Sequence, residues 1–433
     1  MSPLEQGGLA LLGAFVLIGL RVPIGLALGL VSFVGALALL PAKAAISLMA
    51  RVPQEFAASW EFAAVPLFLL MGNIAFRSGM TDGIFRLAER LVGRLPGGLA
   101  IATNFAAAGF GAASGSSIAT TVAMGRAAIP EMLRNRYDPG LATAVCACSG
   151  TLAALIPPSI PLIVYGILAE QSVAKLFFAG IVPGLLTATA YAAMILIRAR
   201  RNPQLAPPVE PGGSSLADDV RDVWPLPVLA VCVLGGIYGG VFSPSEAGAV
   251  GALFAALFAF LRGGFGLAQL WQTLMETVWS TAMILFVAIG AFMLTRYMAL
   301  TGLPVTVADA VQSWNLSPMV LLVVTALVFV VLGMFLDPFG VMLISISVLL
   351  PLFERVGFDL IWIGIIIVKY IEIGLITPPI GLNVFAAKSV APPEVSLPMI
   401  FRGVLWFLLA ELVVMALLLS FPGLTLWLPS IML

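Results

Sequence analysis

The chain has 433 residues, 61 % of them hydrophobic and 10 % charged; 21 basic residues balance 21 acidic ones and there is no histidine. A mean hydropathy of +1.11 lies far above that of an average soluble domain and marks a multi-pass membrane protein. Zero net charge leaves no basic face for nucleic acid, and the lack of histidine excludes Ser-His and Cys-His catalysis, a haem axial histidine and His-based zinc, so an intramembrane enzyme is hard to sustain.

With about 20 apolar residues per crossing, helices are expected near 8–20, 22–40 and 62–76. The first run has no basic stretch before it, so it reads as a membrane segment and not as a cleaved signal. Residues 81–94 space Arg86, Glu89, Arg90 and Arg94 between apolar positions, the pattern of a helix lying along the membrane surface. Residues 96–133 are apolar but are split by Ser114-Gly115-Ser116-Ser117 into arms of about 17 residues, each marginal for a crossing. A re-entrant hairpin with its tip at the serines fits this stretch. Residues 139–169 carry Pro157-Pro158 in mid-run, where a proline removes an N–H and costs a helix about 3 kcal/mol; a broken helix is expected. A span over 176–197 closes the first half. Cys146, Cys148 and Cys232 lack metal or redox spacing and read as small apolar filler.

Residues 198–223 form a hydrophilic linker rich in proline and glycine. The order then recurs: spans near 224–241 and 247–261, a span over 277–294 flanked by surface stretches, and a hairpin over 317–353 interrupted at Gly333-Met-Phe-Leu-Asp337-Pro338. A second broken helix over 360–388 carries Pro378-Pro379, and a last span covers 398–419. The halves, 1–197 and 224–433, can be laid over each other. Leu95-Pro-Gly-Gly matches Leu316-Ser-Pro, Ser114-Gly-Ser-Ser matches Leu336-Asp-Pro-Phe, Ile129-Pro-Glu-Met matches Leu350-Pro-Leu-Phe, and Leu155-Ile-Pro-Pro-Ser matches Ile376-Thr-Pro-Pro-Ile.

If a hairpin counts as no crossing, each half crosses an odd number of times and the repeats are inverted. Charge supports this: with the N-terminus outside, most Arg and Lys fall inside, and only Lys43, Arg51, Lys175, Arg296 and Arg355 fall outside. The fold class expected is therefore an all-α polytopic membrane protein of two inverted repeats, each with a re-entrant hairpin and a broken helix.

Where a hairpin tip meets a broken helix, unpaired carbonyls and helix termini converge at mid-membrane, an environment suited to sodium. One sodium site is expected from Ser114, Ser116 and Ser117 with the backbone at Gly150 and Pro157. A second is expected from Asp337 and Gly333 with Thr377, Gly381 and Asn383. Asp337 is the sharpest candidate, because a lone carboxylate in the membrane is costly. Protons are the rival ion, but a relay is hard to build without histidine. Helix N-termini facing each other suit an anionic substrate between the sites, with Ser117, Pro158, Ser159, Pro379 and Asn383 nearest to it. Lys369 and Glu372, three apart on one helix, read as an intrahelical ion pair.

At these residues the chain resembles the large membrane subunit of the tripartite ATP-independent periplasmic (TRAP) transporters, of the ion transporter superfamily. The pieces that carry the resemblance are Val65-Pro-Leu-Phe-Leu-Leu-Met-Gly72, Leu95-Pro-Gly-Gly-Leu, Ala113-Ser-Gly-Ser-Ser117, Ile156-Pro-Pro-Ser-Ile160, Lys175-Leu-Phe-Phe-Ala-Gly-Ile-Val-Pro-Gly-Leu185 and Ile376-Thr-Pro-Pro-Ile-Gly-Leu-Asn383. They run over nearly the whole chain. The resemblance implies a sodium-coupled elevator in the bacterial inner membrane with a periplasmic N-terminus. A scaffold stays still while a transport domain of hairpins and broken helices carries a C4-dicarboxylate, sialic acid or other carboxylate, with sodium as the coupling ion and no other cofactor. It also implies two partners, a periplasmic substrate-binding protein and a small four-helix membrane subunit. Some relatives carry that subunit fused at the N-terminus, but Met1 to Gly8 leave no room for it, so a separate chain is expected. Stand-alone sodium/dicarboxylate symporters of the same superfamily are the alternative.

Overall fold

A computed structural model of the chain describes residues 1–80, 82–209, 220, 222–314 and 316–432, and these form helices and turns with no strand. The first half contains α1 (Pro3–Gly19), α2 (Ile24–Leu39), α3 (Ala42–Ala58), α4 (Ala64–Arg77), α5 (Asp82–Val92), α6 (Gly98–Ser114), α7 (Ser117–Arg134), α8 (Pro139–Gly150), α9 (Ile160–Leu168) and α10 (Val173–Arg201). The second contains α11 (Pro225–Tyr238), α12 (Pro244–Arg262), α13 (Leu267–Thr301), α14 (Leu303–Ser313), α15 (Pro318–Phe335), α16 (Pro338–Val356), α17 (Leu360–Ile376), α18 (Leu382–Val390), α19 (Leu397–Ser420) and α20 (Gly423–Met432). Among the described residues six helices are long and apolar enough to cross a membrane, α10, α12, α13, α15, α16 and α19, or seven if the bent pair over 42–77 counts as one span.

Many helix starts follow one local rule. Ser2-Pro3, Asp138-Pro139, Ser243-Pro244, Ser317-Pro318 and Asp337-Pro338 each put a capping oxygen before a proline in the first turn. The cap accepts an orphan backbone N–H, and the proline, which has none to offer, sits where none is needed. Much of the proline content thus begins helices instead of breaking them.

The order α1, α2, α3 with α4, and α5 to α10 recurs as α11, α12, α13, and α14 to α19. Packing between the halves is reciprocal: α4 lies on α12 and α13 on α2, α7 on α18 and α16 on α9, α8 on α19 and α17 on α10. Such an exchange is the mark of a pseudo-two-fold arrangement. Small residues allow the closest crossings. A Cβ at Gly111 of α6 would come within 2.7 Å of Ala153 Cα, and one at Gly374 of α17 within 2.8 Å of Gly333 Cα in α15. Gly333, expected at an ion site, is therefore a packing position. At the centre, α8 buries every residue from Gly140 to Gly150, and α17 every residue from Ile361 to Ile376 except Ile373. Helices that expose almost no face, as these two do, form the interior of the bundle.

The structure corrects four local expectations. Residues 42–58 form a helix the hydropathy pattern missed, because Lys43, Arg51 and Glu55 interrupt the apolar run; its buried face is Ala45, Met49, Val52 and Phe56, at helical spacing. A 3₁₀ turn, Trp60–Ala63, joins it to α4. Residues 267–301 form one helix of 35 residues in place of a span between surface stretches. At 1.5 Å per residue it is roughly 52 Å long and outruns the bilayer core. Beyond the last expected span lies α20. The segment at 198–223 begins inside α10, and its next residues lie against the first hairpin: Gly97 N donates to Ala206 O (3.2 Å) and Asp138 N to Leu205 O (2.9 Å). Residues 210–219 and 221 of that linker lie outside the described residues.

Replacing Gly374 with leucine is expected to destabilise the fold by about 1–3 kcal/mol or more through overpacking. Gly8→Leu, where nothing lies within 4 Å, serves as the control. A lower melting temperature for Gly374→Leu alone, in detergent, is the expected result.

Candidate functional site

The first hairpin turns at Gly115, which ends α6 in the left-handed region at φ +60° and so favours glycine. Ser116 caps α7 by accepting from Ala119 N (3.4 Å), and Ser114 Oγ shares a hydrogen bond with Thr120 Oγ1 (2.8 Å). The tip touches the first break directly: Ile160 N donates to Gly115 O at 3.4 Å. Ser117 reaches across the repeats, its hydroxyl donating to Glu372 Oε1 of α17 at 2.7 Å.

At the first break the chain leaves α8, makes a 3₁₀ turn over Thr151–Ala154, passes the cis Pro157-Pro158 bond and restarts as α9. Ser159 closes the gap. Its hydroxyl donates to Ala154 O and accepts from Leu162 N, so it satisfies both sides of the break. The second break follows the same plan: Thr377 Oγ1 donates to Ile373 O (2.6 Å), Pro378-Pro379 is cis, and Gly381 restarts the chain at φ +62° with the carbonyls of Leu375 and Thr377 around it.

The expected site residues do not fall into the two groups anticipated. Ser117 and Gly150 meet, since a side chain at Gly150 would overlap Thr121 Oγ1 and lie 2.9 Å from Ser117 O. Asn383, grouped with Asp337 in the sequence reading, instead sits against the first repeat: Nδ2 donates to Ala147 O of α8 at 3.4 Å, and α18 packs on α7 and α8. Asp337 is the cap of α16, with Oδ1 accepting from Phe339 N (3.1 Å) and Gly340 N (3.0 Å).

The expected Lys369–Glu372 pair does not form. Lys369 Nζ donates to Glu411 Oε2 of α19 and to Thr187 Oγ1 of α10 (3.2 Å), while Tyr191 donates its hydroxyl to Glu411 Oε1. All four side chains are buried. Spacing along one helix could not reveal a partner 42 residues away. One signal was available, however: Glu411 is a lone acid within an apolar span, the same argument that singled out Asp337.

Three buried oxygens near this junction have no hydrogen-bond partner: Thr121 Oγ1, Glu372 Oε2 and Asn383 Oδ1. Carboxylate and amide oxygens that lack donors suit a cation, while the N-termini of α7, α9, α16 and α18 favour an anion. A cleft of about 240 Å³ between α4, α6 and α11 leads to Pro158 along Met71, Gly109, Ala113 and Leu226. A larger cavity of about 780 Å³ lies among Phe56, Phe62, Glu170 and Arg296 and is lined by none of the expected site residues.

The model of the family described as "Tripartite ATP-independent periplasmic transporter, DctM component" matches residues 11–424. The chain belongs to this TRAP transporter family. A relative from Pseudomonas aeruginosa, the C4-dicarboxylate TRAP transporter large permease protein DctM, is 36 % identical over 377 residues, covering 87 % of this chain and 88 % of its own. Another from Ruegeria pomeroyi, the ectoine/5-hydroxyectoine TRAP transporter large permease protein UehC, is 36 % identical over 371 residues, covering 84 % and 85 %. The crystal structure of the YdaH transporter of Alcanivorax borkumensis shares the fold, with a TM-score of 0.64, 17 % identity and coverage of 89 % of this chain and 90 % of that one. The permease is thus a transporter subunit and not an enzyme, a multi-pass protein of an assembly whose family description is itself tripartite and periplasmic.

Replacing Lys369 with methionine leaves Glu411 charged and buried, and is expected to cost about 3–5 kcal/mol. The double variant Lys369→Met/Glu411→Leu is expected to recover most of that loss, measured as melting temperature in detergent and analysed as a double-mutant cycle.

Proposed function

We propose that the permease imports a small organic acid handed over by a periplasmic binding protein, using an inward sodium gradient and an elevator movement. The observation that carries this reading is the meeting of the first hairpin with the broken helices of both repeats, at buried oxygens that lack donors. The transport domain in this reading is α6 to α9 with α15 to α18, and the remaining helices are scaffold with the N-terminus periplasmic. One sodium ion is held by Ser114, Ser116, Ser117 and the backbone at Gly150 and Pro157. Another is held near Asp337, Thr377 and Gly381, with Gly333 behind them and Asn383 turned towards the first site. Substrate lies between, near Ser117, Pro158, Ser159, Pro379 and Asn383. Its carboxylate meets the positive ends of α9 and α18.

Two relatives of equal identity are named for a C4-dicarboxylate and for ectoine. Both molecules carry a carboxylate, which supports an organic acid and leaves its remainder to the binding protein. A small membrane subunit, as a separate chain, completes the complex.

The test is uptake into proteoliposomes holding the permease and its small subunit, with C4-dicarboxylates first, with and without the binding protein, under an inward sodium gradient. Uptake that requires both sodium and binding protein is expected. Uptake that needs sodium alone favours a stand-alone symporter, and uptake driven by protons alone overturns the sodium reading. Ser116→Ala and Asp337→Ala are expected to raise the sodium concentration for half-maximal uptake several-fold while losing only about 1 kcal/mol of stability as lost caps. Unchanged sodium dependence in both sinks the site assignment.

A further inference from the structure

We propose that Glu372 is the anionic ligand of a monovalent cation at the junction of α7, α8, α17 and α18, and that Ser117 positions its carboxylate. The inference rests on the sodium reading above and adds to it the charge that balances the ion.

The buried side chains of formal charge among the described residues are Lys369, Glu372 and Glu411. Lys369 and Glu411 neutralise each other, and Thr187 and Tyr191 complete their hydrogen bonds. Among these residues Glu372 is left without an ion-pair partner. It is 2 % exposed, no described lysine or arginine forms an ion pair with it, Oε1 accepts a single hydrogen bond from Ser117, and Oε2 has no partner. Burying a lone carboxylate costs several kcal/mol even after relaxation, and one hydroxyl does not offset that. A bound cation would balance the carboxylate where no described side chain forms an ion pair with it.

The surroundings indicate its chemistry. Ser117 and Thr121 stand one turn apart on α7, and Gly150 of α8 lies against both. One turn before Gly150, Ala147 holds Asn383 by its amide nitrogen, which leaves Asn383 Oδ1 buried and unpartnered, like Thr121 Oγ1. A proton on Glu372 would satisfy one of these oxygens. A hard monovalent cation draws on several at once and cancels the charge. The ligands come from α7 on the first repeat and from α17 and α18 on the second, so an ion bound here ties the first hairpin to the opposite broken helix. Gly150 keeps the space open, since any larger residue would close it against Thr121.

The experiment is thermal melting of the purified complex of permease and small subunit in sodium chloride against choline chloride at equal ionic strength, paired with sodium-dependent uptake. Wild type is expected to melt higher in sodium. Glu372→Gln is expected to fold in choline as well as wild type, to lose the sodium-induced rise, and to need roughly ten-fold more sodium for half-maximal uptake, the scale of a lost contact to a charged group. Thr425→Val removes a buried unpartnered oxygen elsewhere, on α20, and is expected to keep the wild-type sodium response. If Glu372→Gln does not yield folded protein, Glu372→Asp and Ser117→Ala take its place, with a several-fold rise in the sodium midpoint expected of each. An unshifted midpoint and an intact sodium rise in the Glu372 variants overturn this assignment while leaving the sodium reading in place. A wild type indifferent to sodium in both melting and uptake overturns the two together.

Discussion

The rest of the structure depends on one requirement: backbone groups freed by a broken helix must find partners inside the protein, because hydrocarbon offers none. Pro157-Pro158 and Pro378-Pro379 each free such groups in the middle of an apolar run. The fold answers by burying α8 and α17 almost completely and by closing each gap with a hydroxyl, Ser159 onto Ala154 O at the first and Thr377 onto Ile373 O at the second. The remaining elements can be read as the wall this burial requires. Each hairpin caps its own return arm, through Ser116 and Asp337, and the first tip is tied to its break by Ile160 N donating to Gly115 O.

Reciprocal packing makes the wall. Each broken helix lies against the span that follows the other one, α8 on α19 and α17 on α10, and small residues let the hairpin arms approach at Gly111 and Gly333. The copies are not identical, however. The first repeat bends where α3 meets α4, whereas the second runs straight through α13. Charge is also unequal: Lys369, Glu372 and Glu411 all belong to the second repeat, and they engage Thr187, Tyr191 and Ser117 from the first. These polar contacts join the two halves through buried hydrogen bonds.

That inequality bears on function. Backbone carbonyls and hydroxyls at two symmetric breaks make two similar environments, yet the buried charge lies at one of them. The contacts of Ser117, Gly150, Glu372 and Asn383 span four helices of both repeats, the arrangement on which the proposed ion coupling rests. Family membership explains why so little of this site speaks to substrate identity. Relatives of equal identity are named for different solutes, so membership of the family does not by itself fix the solute.

The sequence by itself determined the membrane class, the repeat, the hairpins and the broken helices, because each is a local property: apolar length, a double proline, a capping residue before a proline. The tip at Ser114 to Ser117 was legible for the same reason. Local pattern failed where polarity is shared with a distant partner. Residues 42–58 offer no apolar run of spanning length, and their helix is recognisable only once Ala45, Met49, Val52 and Phe56 have a core to face, while the polar start of α13 reads as a surface stretch. Only the tertiary structure decided that Lys369 pairs with Glu411 and not with Glu372, that Asn383 contacts the first repeat, and that Glu372 meets Ser117 across the repeats with Thr121 close by. The physical reason is that a buried charge is stabilised by whatever the fold brings within hydrogen-bonding distance, and spacing along the chain does not record that distance.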